Sequence, residues 1–336
     1  MIAFQKIILF SFVIIHHLAL QKVRVVQWNI HAWRDSEHRD NYEELATLLE
    51  ELEPDILLLN EVLHPFAPDE EKEKGDAYFA IVKAGKGRGL EVEPCLSTGT
   101  KSPYLDRLAK RLKLNEVYFA EAESDHCFFG KLPFGSALCS RFPLKNSGQI
   151  LMQSTSADLT LGSQARDFVE NRGAVWGTVC IHNAHEFIFA TAHLDHKSEE
   201  LREKQMLTCL NALPANVPIL LAGDFNTFQR SDHSHHQWSK ILSFYASRGW
   251  PQPSENSLVL DLLRQRKWTD VATLFNSSFS CREPTCWTHC PLFRIDHAWL
   301  SSDCFARNTK LQLNAYKVYN NSASDHFPIV LDLTLL

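Results

Sequence analysis

Pro218-Ile219-Leu220-Leu221-Ala222-Gly223-Asp224-Phe225-Asn226 is the stretch from which the fold can be read. Residues 219–222 are an unbroken apolar run, short enough for a strand covered on both faces. Gly223 ends the run, and an acid and an amide follow two positions apart. If the chain stays extended past the glycine, Asp224 and Asn226 point to the same side. Asp224 can then take a proton from water, and Asn226 can hold an oxygen in place. A Gly-Asp pair also makes an ordinary Asx turn, and from this segment alone both readings stand.

The same design recurs along the chain. The apolar run 56–59 leads directly into Asn60-Glu61. A charge closing a buried strand is costly unless compensated. A hard divalent cation is a natural partner, because oxygen ligands suit Mg²⁺ or Mn²⁺; simple solvation is the alternative. Gln27-Trp28-Asn29-Ile30-His31 closes the strand-like run 23–30. Phe189-Ala190-Thr191-Ala192-His193-Leu194-Asp195-His196 ends another strand and enters a helix. His193 belongs with the site, whereas Asp195 and His196 have an alternative use as caps of the helix beginning near Ser198. Ser324-Asp325-His326-Phe327-Pro328 precedes the last strand, and Arg294-Ile295-Asp296-His297 stands upstream of it. An aspartate beside a histidine fixes the tautomer and favours the cation, which suits a phosphate oxygen. Strands bury their bodies and deliver their ends to a common edge. The expectation is one pocket that gathers Glu61, His193, Asp224, Asp296 and His326.

Strands are predicted at 23–30, 56–59, 116–120, 136–140, 174–181, 187–191, 219–222, 295–300 and 329–335. Helices are predicted at 41–52, 103–112, 199–213, 239–247 and 258–264, with Pro54 and Pro214 as stops after two of them. Residues 64–102 are charged, Gly-rich and Pro-punctuated, and read as a surface excursion. Residues 229–237 are polar and His-rich and read as a loop, in which Asp232-His233-Ser234-His235-His236 either borders the site or is solvated. No repeat or low-complexity linker splits the chain. Residues 22–336 are expected to form one α/β domain of two packed sheets flanked by helices.

The 336 residues are 45% hydrophobic and 22% charged, ordinary globular composition that permits a sizeable core. A net charge of -6 advertises no strongly basic face for nucleic acid. A bound cation would bring its own positive charge. The nine cysteines are scattered. Cys139, Cys180 and Cys209 lie in apolar runs and read as reduced core residues. Cys281, Cys286, His289 and Cys290 fit no standard zinc spacing; a zinc-organised module, a partly buried loop and a disulfide in a secreted protein are the readings. Residues 1–21 form a separate apolar segment. Within it, 7–15 resemble the core of a signal peptide or a short anchor, too short to span a bilayer comfortably. Secretion, membrane contact through this segment and a cytoplasmic location all stay open.

Taken together, the signatures resemble the endonuclease/exonuclease/phosphatase superfamily, the deoxyribonuclease-I-like fold. The match runs in order through Trp28-Asn29-Ile30, Asn60-Glu61, Gly135-Ser136-Ala137-Leu138-Cys139-Ser140-Arg141-Phe142-Pro143, Arg172-Gly173-Ala174, Thr191-Ala192-His193-Leu194, Gly223-Asp224-Phe225-Asn226, Arg294-Ile295-Asp296-His297 and Ser324-Asp325-His326-Phe327-Pro328. The resemblance implies a four-layer α/β-sandwich with two packed, mostly antiparallel β-sheets. It also implies divalent-metal-dependent hydrolysis of a phosphate ester, with Mg²⁺ or Mn²⁺ as cofactor. Glu61 would be the principal metal ligand with Asn29 beside it, and Asp325 would ligate metal or support it from behind. Asp224 would orient or deprotonate the attacking water, Asn226 would help hold the phosphate, and His193 and His326 would contact phosphoryl oxygens. Asp296 would orient a histidine. Arg172 either adds charge for substrate or is an ordinary strand-edge arginine. Phosphoryl transfer needs an in-line nucleophile and neutralised charge, which one Mg²⁺ and two imidazoliums supply.

Nucleic acid, a lipid head group and a small soluble phosphate all remain candidate substrates, handled by an expected monomer. The competing class is a catalytically silent binding or scaffold protein on this fold. Such a relative is expected to have lost Glu61, Asp224 or His326, and all three are present.

Overall fold

The computed structural model describes residues 21–37, 39–64, 104–123, 134–152, 171–181, 185–249, 252–275, 283–306 and 311–335. The N-terminal apolar segment before Gln21, the bulk of the excursion at 64–102, and Cys95, Cys127 and Cys281 lie outside these residues. In chain order the elements are β1 Gln21–Asn29, α1 Tyr42–Leu52, β2 Ile56–Leu63, α2 Tyr104–Leu112, β3 Glu116–Glu123, β4 Phe134–Ser140, β5 Leu144–Met152, β6 Arg172–Ile181, β7 His185–His193, α3 Glu199–Ala212, β8 Ile219–Asp224, α4 His235–Ser247, α5 Leu258–Gln265, β9 Thr269–Asp270, α6 Val271–Phe275, β10 Asp296–Leu300, β11 Leu311–Val318 and β12 Ile329–Leu335.

The strands form two six-stranded sheets with orders β11-β12-β1-β2-β4-β3 and β5-β6-β7-β8-β10-β9. Pairing is antiparallel except for β1 with β2 and β7 with β8. Three buried layers follow from alternation along the strands. Val23, Val25, Leu58, Phe187, Phe189, Leu220, Ala222, Ala298, Ile329 and Leu331 fill the space between the sheets. Trp28, Leu57 and Leu59 face outward onto Leu45, Leu49, Leu105 and Leu108 of α1 and α2. Ile188, Ala190, Ile219 and Leu221 face outward onto Met206 and Cys209 of α3 and Val259, Leu260 and Leu263 of α5. The result is the expected four-layer α/β-sandwich.

Local chemistry explains the helices. In α1, Leu45, Leu49 and Leu52 make the apolar stripe, and Glu53 in the left-handed region ends it just before Pro54. Ser198 caps α3 by accepting from the Leu201 N–H. Ser257 does the same for α5 through the Leu260 N–H.

The structure corrects three expectations. Residues 229–237 are not a loop. Arg230–Asp232 form a 3₁₀ turn, and α4 starts at His235 behind a Ser234/Gln237 capping box. Strand β2 does not end at Asn60-Glu61 but runs to Leu63. Three strands, β5, β9 and β11, lie outside the predicted set. Each is an edge of its sheet and carries polar residues such as Asn146, Ser147, Gln149 and Asn314. An edge strand covers only one face, so it needs no apolar run.

Candidate active site

The site is where the polar ends of the inner rows meet. On β1, Val23 and Val25 face the other sheet, so period two turns Gln27 and Asn29 the same way. The same count continues Leu58 into Asn60, Phe187 and Phe189 into Thr191 and His193, and Leu220 and Ala222 into Asp224. The two parallel pairs bring the C-terminal ends of β1 and β2, and of β7 and β8, to one edge. The antiparallel neighbours β10 and β12 bring their N-terminal ends to that edge, with Asp296 opposite Asp224 and His326 just before β12. The apolar layer between the sheets therefore opens into a polar pocket.

Glu61 breaks this parity. By alternation it would follow Leu59 outward, away from the pocket. Two β2 residues, Asn60 and Glu61, oppose Ser136 of β4 alone, because Leu59 pairs with Ala137 and Val62 with Gly135. This is a β-bulge with Glu61 at φ 55°, and it swings the carboxylate inward.

Asn29 Nδ2 then donates to Glu61 Oε1 at 3.0 Å and to Asp224 Oδ2 at 2.9 Å. His193 Nε2 lies 3.7 Å from Glu61 Oε1 and 3.6 Å from Asp224 Oδ2. His326 Nε2 lies 3.7 Å from the same Asp224 oxygen, and its Nδ1 is 2.8 Å from Asp296 Oδ2. The five residues expected to converge do so.

Behind them sits a network to which the sequence reading assigned no role. Asn60 Nδ2 donates to Ser136 Oγ at 3.0 Å and Thr191 Oγ1 at 3.1 Å. Asn60 Oδ1 accepts the Asp224 N–H at 3.0 Å. Gln27 Nε2 donates to Asn60 Oδ1 and to Asp296 Oδ1, both at 3.3 Å. All four side chains are buried. The available signal was a polar residue standing at an inward position of an apolar strand, as Gln27 does in Val25-Val26-Gln27.

The remaining expected residues sit around this centre. Asn226 is not on an extended continuation of β8. It has φ 51°, its N–H donates to Asp224 Oδ1, and its Nδ2 donates to Leu194 O at 3.0 Å. The Asx turn and the inward carboxylate are thus the same residue, using different oxygens. Asp325 is outside both carboxylate–imidazole groups and faces His31 Nδ1 at 3.9 Å. The carboxylate on the His326 ring is Asp296, not the adjacent Asp325. Asp195 accepts from the Lys197 and Ser198 N–H groups ahead of α3, whose cap is Ser198. Arg172 starts β6 and sends its two terminal nitrogens to His193 Nδ1 and His196 Nδ1, each at 3.1 Å.

Electrostatics follow burial and neighbours. Burial, with Asp296 and Glu61 close by, pushes Asp224 up to about 7 against the opposing pull of His326 and the Asn29 hydrogen bond. Burial alone would lower His326, yet Cys286, Asp296, Asp325 and Asp224 together hold it well above the ordinary histidine value. The Cys286 thiol is itself pushed up to about 12 by burial, so it is neutral at pH 7, and among the carboxylates Asp296 acts most strongly on the ring. His326 is therefore biased toward its cationic form, with Asp296 on its Nδ1.

The donor set fits one divalent cation. Glu61 Oε1 and Asp224 Oδ2 offer two carboxylate oxygens within 4.8 Å of each other, and the high value of Asp224 marks a carboxylate short of positive charge. Two carboxylates plus water and substrate oxygens is how Mg²⁺ is usually held. Asn29 turns its NH₂ toward these acids, because its Oδ1 accepts the His31 N–H at 3.0 Å. Among the described residues, Cys286, His289 and Cys290 form no comparable group. Cys286 is buried and Cys290 exposed, and both are free thiols. Cys139 and Cys209 are buried as expected, whereas Cys180 is exposed.

A two-sheet α/β-sandwich with an acid-and-imidazole pocket at one sheet edge defines the deoxyribonuclease-I-like class. The sequence profile of the Endonuclease/Exonuclease/phosphatase family matches residues 26–326, and the chain belongs to that family. Solved structures agree on the fold. An endonuclease/exonuclease/phosphatase from Beutenbergia cavernae superposes with a TM-score of 0.62 at 18% identity, covering 94% of this chain and 72% of that one. The human Nocturnin catalytic domain, solved with a bound sulfate anion, gives 0.58 at 20% identity over 94% and 95%. A mannosyl-6-phosphatase from Bacteroides thetaiotaomicron gives 0.54 at 16% identity over 93% and 99%. The sequence matches no curated protein. Members of the family are generally phosphate-ester hydrolases that use divalent metals.

Proposed function

We propose that this chain is a divalent-cation-dependent phosphoesterase that cleaves a phosphodiester or phosphomonoester by attack of water. The observation that carries the reading is the single Asp224 Oδ2 atom flanked by two imidazole Nε2 atoms and held beside Glu61 Oε1 by Asn29. In this reading Asp224 orients the attacking water and takes its proton. His326, biased toward its cation by Asp296, donates through Nε2 to a phosphoryl oxygen and offsets the charge gathering there. His193 donates to a second phosphoryl oxygen, and Asn226 steadies the phosphate from the adjoining turn. Glu61 and the adjoining Asp224 carboxylate would hold Mg²⁺ or Mn²⁺, which would supply positive charge for the phosphoryl and leaving oxygens. Asp325 lies behind the site, toward His31.

The test is a substrate panel with added Mg²⁺: bis-p-nitrophenyl phosphate, single-stranded DNA, RNA, sphingomyelin, phosphoinositides and nucleotides. At least one ester should be hydrolysed, and excess chelator should abolish the reaction. Asp224→Asn should lower turnover by about 10²-fold or more, because the proton acceptor is gone. Glu61→Gln should remove the cation dependence of activity together with the activity. Full activity in chelator, or an Asp224→Asn enzyme at wild-type rate, would sink the mechanism.

A further inference from the structure

Arg172 is 3% exposed, and its guanidinium spans two imidazoles. Nη1 lies 3.1 Å from His193 Nδ1, and Nη2 lies 3.1 Å from His196 Nδ1. Strand pairing explains the reach. Gly173 of β6 is opposite His193 of β7, so Arg172 stands one residue past the end of the ladder, level with Leu194. A guanidinium donates at every nitrogen and accepts at none. Each Nδ1 facing it must therefore be the acceptor. A ring that accepts at Nδ1 carries its proton on Nε2. In His193 that is the nitrogen turned toward Glu61 Oε1 and Asp224 Oδ2.

We infer that Arg172 is a positioning residue that locks His193 in the Nε2–H tautomer, making it a fixed hydrogen-bond donor and keeping it out of the cation's ligand set. The two site histidines are thereby given opposite partners. The Nδ1 of His326 meets a carboxylate, whereas the Nδ1 of His193 meets a guanidinium. Both present a proton at Nε2 toward the Asp224 rim. This also settles how the cluster of Glu61, His193 and Asp224 treats metals. With three free donor atoms within 4.8 Å of one another it would be a mixed nitrogen and oxygen site suited to Zn²⁺. With Nε2 protonated, only the two carboxylates remain, and the site favours hard cations. Lysine could serve one imidazole as a point donor, but only the planar fork of arginine serves both.

The catalytic use of this donor rests on the proposed hydrolysis, but the tautomer does not. The experiment therefore reads the protein without substrate. Ring ¹⁵N spectra of histidine-labelled wild-type protein, with His193 assigned by loss of its signals in His193→Gln, should show protonated Nε2 and bare Nδ1. Calorimetric titration with Zn²⁺ in the presence of Mg²⁺ should show tighter Zn²⁺ binding in Arg172→Met, by about tenfold or more, the usual size of outer-sphere effects on metal affinity. Adding His193→Gln to that variant should remove the gain, and Arg172→Lys should stay close to wild type because a donor is retained. A wild-type spectrum with the proton on Nδ1 would overturn the inference outright. So would an Arg172→Met protein whose Zn²⁺ affinity and His193 spectrum are unchanged. The predicted spectrum and zinc response in a protein that cleaves no ester would leave this inference standing and remove the function proposed above.

Discussion

His297 follows Asp296 on the same strand and has the opposite fate. Asp296 faces inward onto His326, so period two turns His297 outward, where it stacks on Phe225 with ring centroids 5.5 Å apart. Its Nε2 donates to Thr227 O at 2.9 Å, and its Nδ1 is buried without a partner. Burial, with Arg294 adding repulsion against the pull of Asp270 and Asp232, lowers it to about 4 from 6.5. The unfolded chain therefore binds a proton between pH 6.5 and 4 that the folded chain refuses. The contribution of this residue is complete above pH 6.5 and is lost as pH falls toward 4, by at most about 3 kcal/mol. Melting temperature should fall over this window, and His297→Gln, which keeps a donor but cannot titrate, should flatten the fall. An identical slope in the variant would show that other groups carry it. At this scale the sequence was legible where chemistry was concentrated: Glu61, His193, Asp224, Asp296 and His326 all reach the pocket. It was not legible where a role depends on which nitrogen or oxygen faces which neighbour. Asp325 sits next to His326 in sequence, yet the ring is served by Asp296, 30 positions away.

The strand end before Asp224 shows what an element contributes. Gly223 has φ +146°, and a Cβ there would lie 2.1 Å from Ala192 O. Both facts demand glycine, because the backbone of β8 passes directly against β7 where the two deliver Asp224 and His193. Gly223→Ala should cost about 4 kcal/mol or more in urea unfolding, the range reserved for backbone strain combined with overpacking. A cost under about 1 kcal/mol would mean that the two strands can separate without consequence. Apolar runs such as Ile219 to Ala222 announced their strands because both faces are covered. The edge strands β5 and β11 did not, since one exposed face lets polar residues in. The start of α4 is legible in Ser234 and Gln237, which spell a capping box, although the three histidines at 233, 235 and 236 read as a solvated loop. Asp232 and His233 are in fact buried, with Asp232 Oδ2 accepting from Arg294 Nη1 at 3.1 Å.

Across the whole molecule, Asn60 is a point where both sheets are tied, beside the Asn29–Asp224 and Gln27–Asp296 bonds. From β2 it reaches Ser136 on β4 and Gln27 on β1 in one sheet, and Thr191 on β7 and the Asp224 N–H on β8 in the other. Deleting that amide leaves several buried donors and acceptors unpaired at once, each worth about 1–3 kcal/mol. Asn60→Ala should therefore destabilise the fold by about 3 kcal/mol or more and should also lower kcat, since the Asp224 N–H loses its acceptor and Gln27, which donates to Asp296, loses a partner. A loss of activity with unchanged unfolding free energy would separate these two roles and refute the tie. The sequence by itself determined the layers, because alternating and continuous apolar runs leave few ways to bury two sheets. It also determined the inventory at the sheet edge, because period two carries each inner row into its polar terminus. Only the tertiary structure decided how that inventory is used. The β2 bulge that turns Glu61 inward, the pairing of His326 with Asp296 and the grip of Arg172 on His193 are contacts between distant strands. Their distances are fixed by how the sheets twist and pack, and no local spacing encodes them.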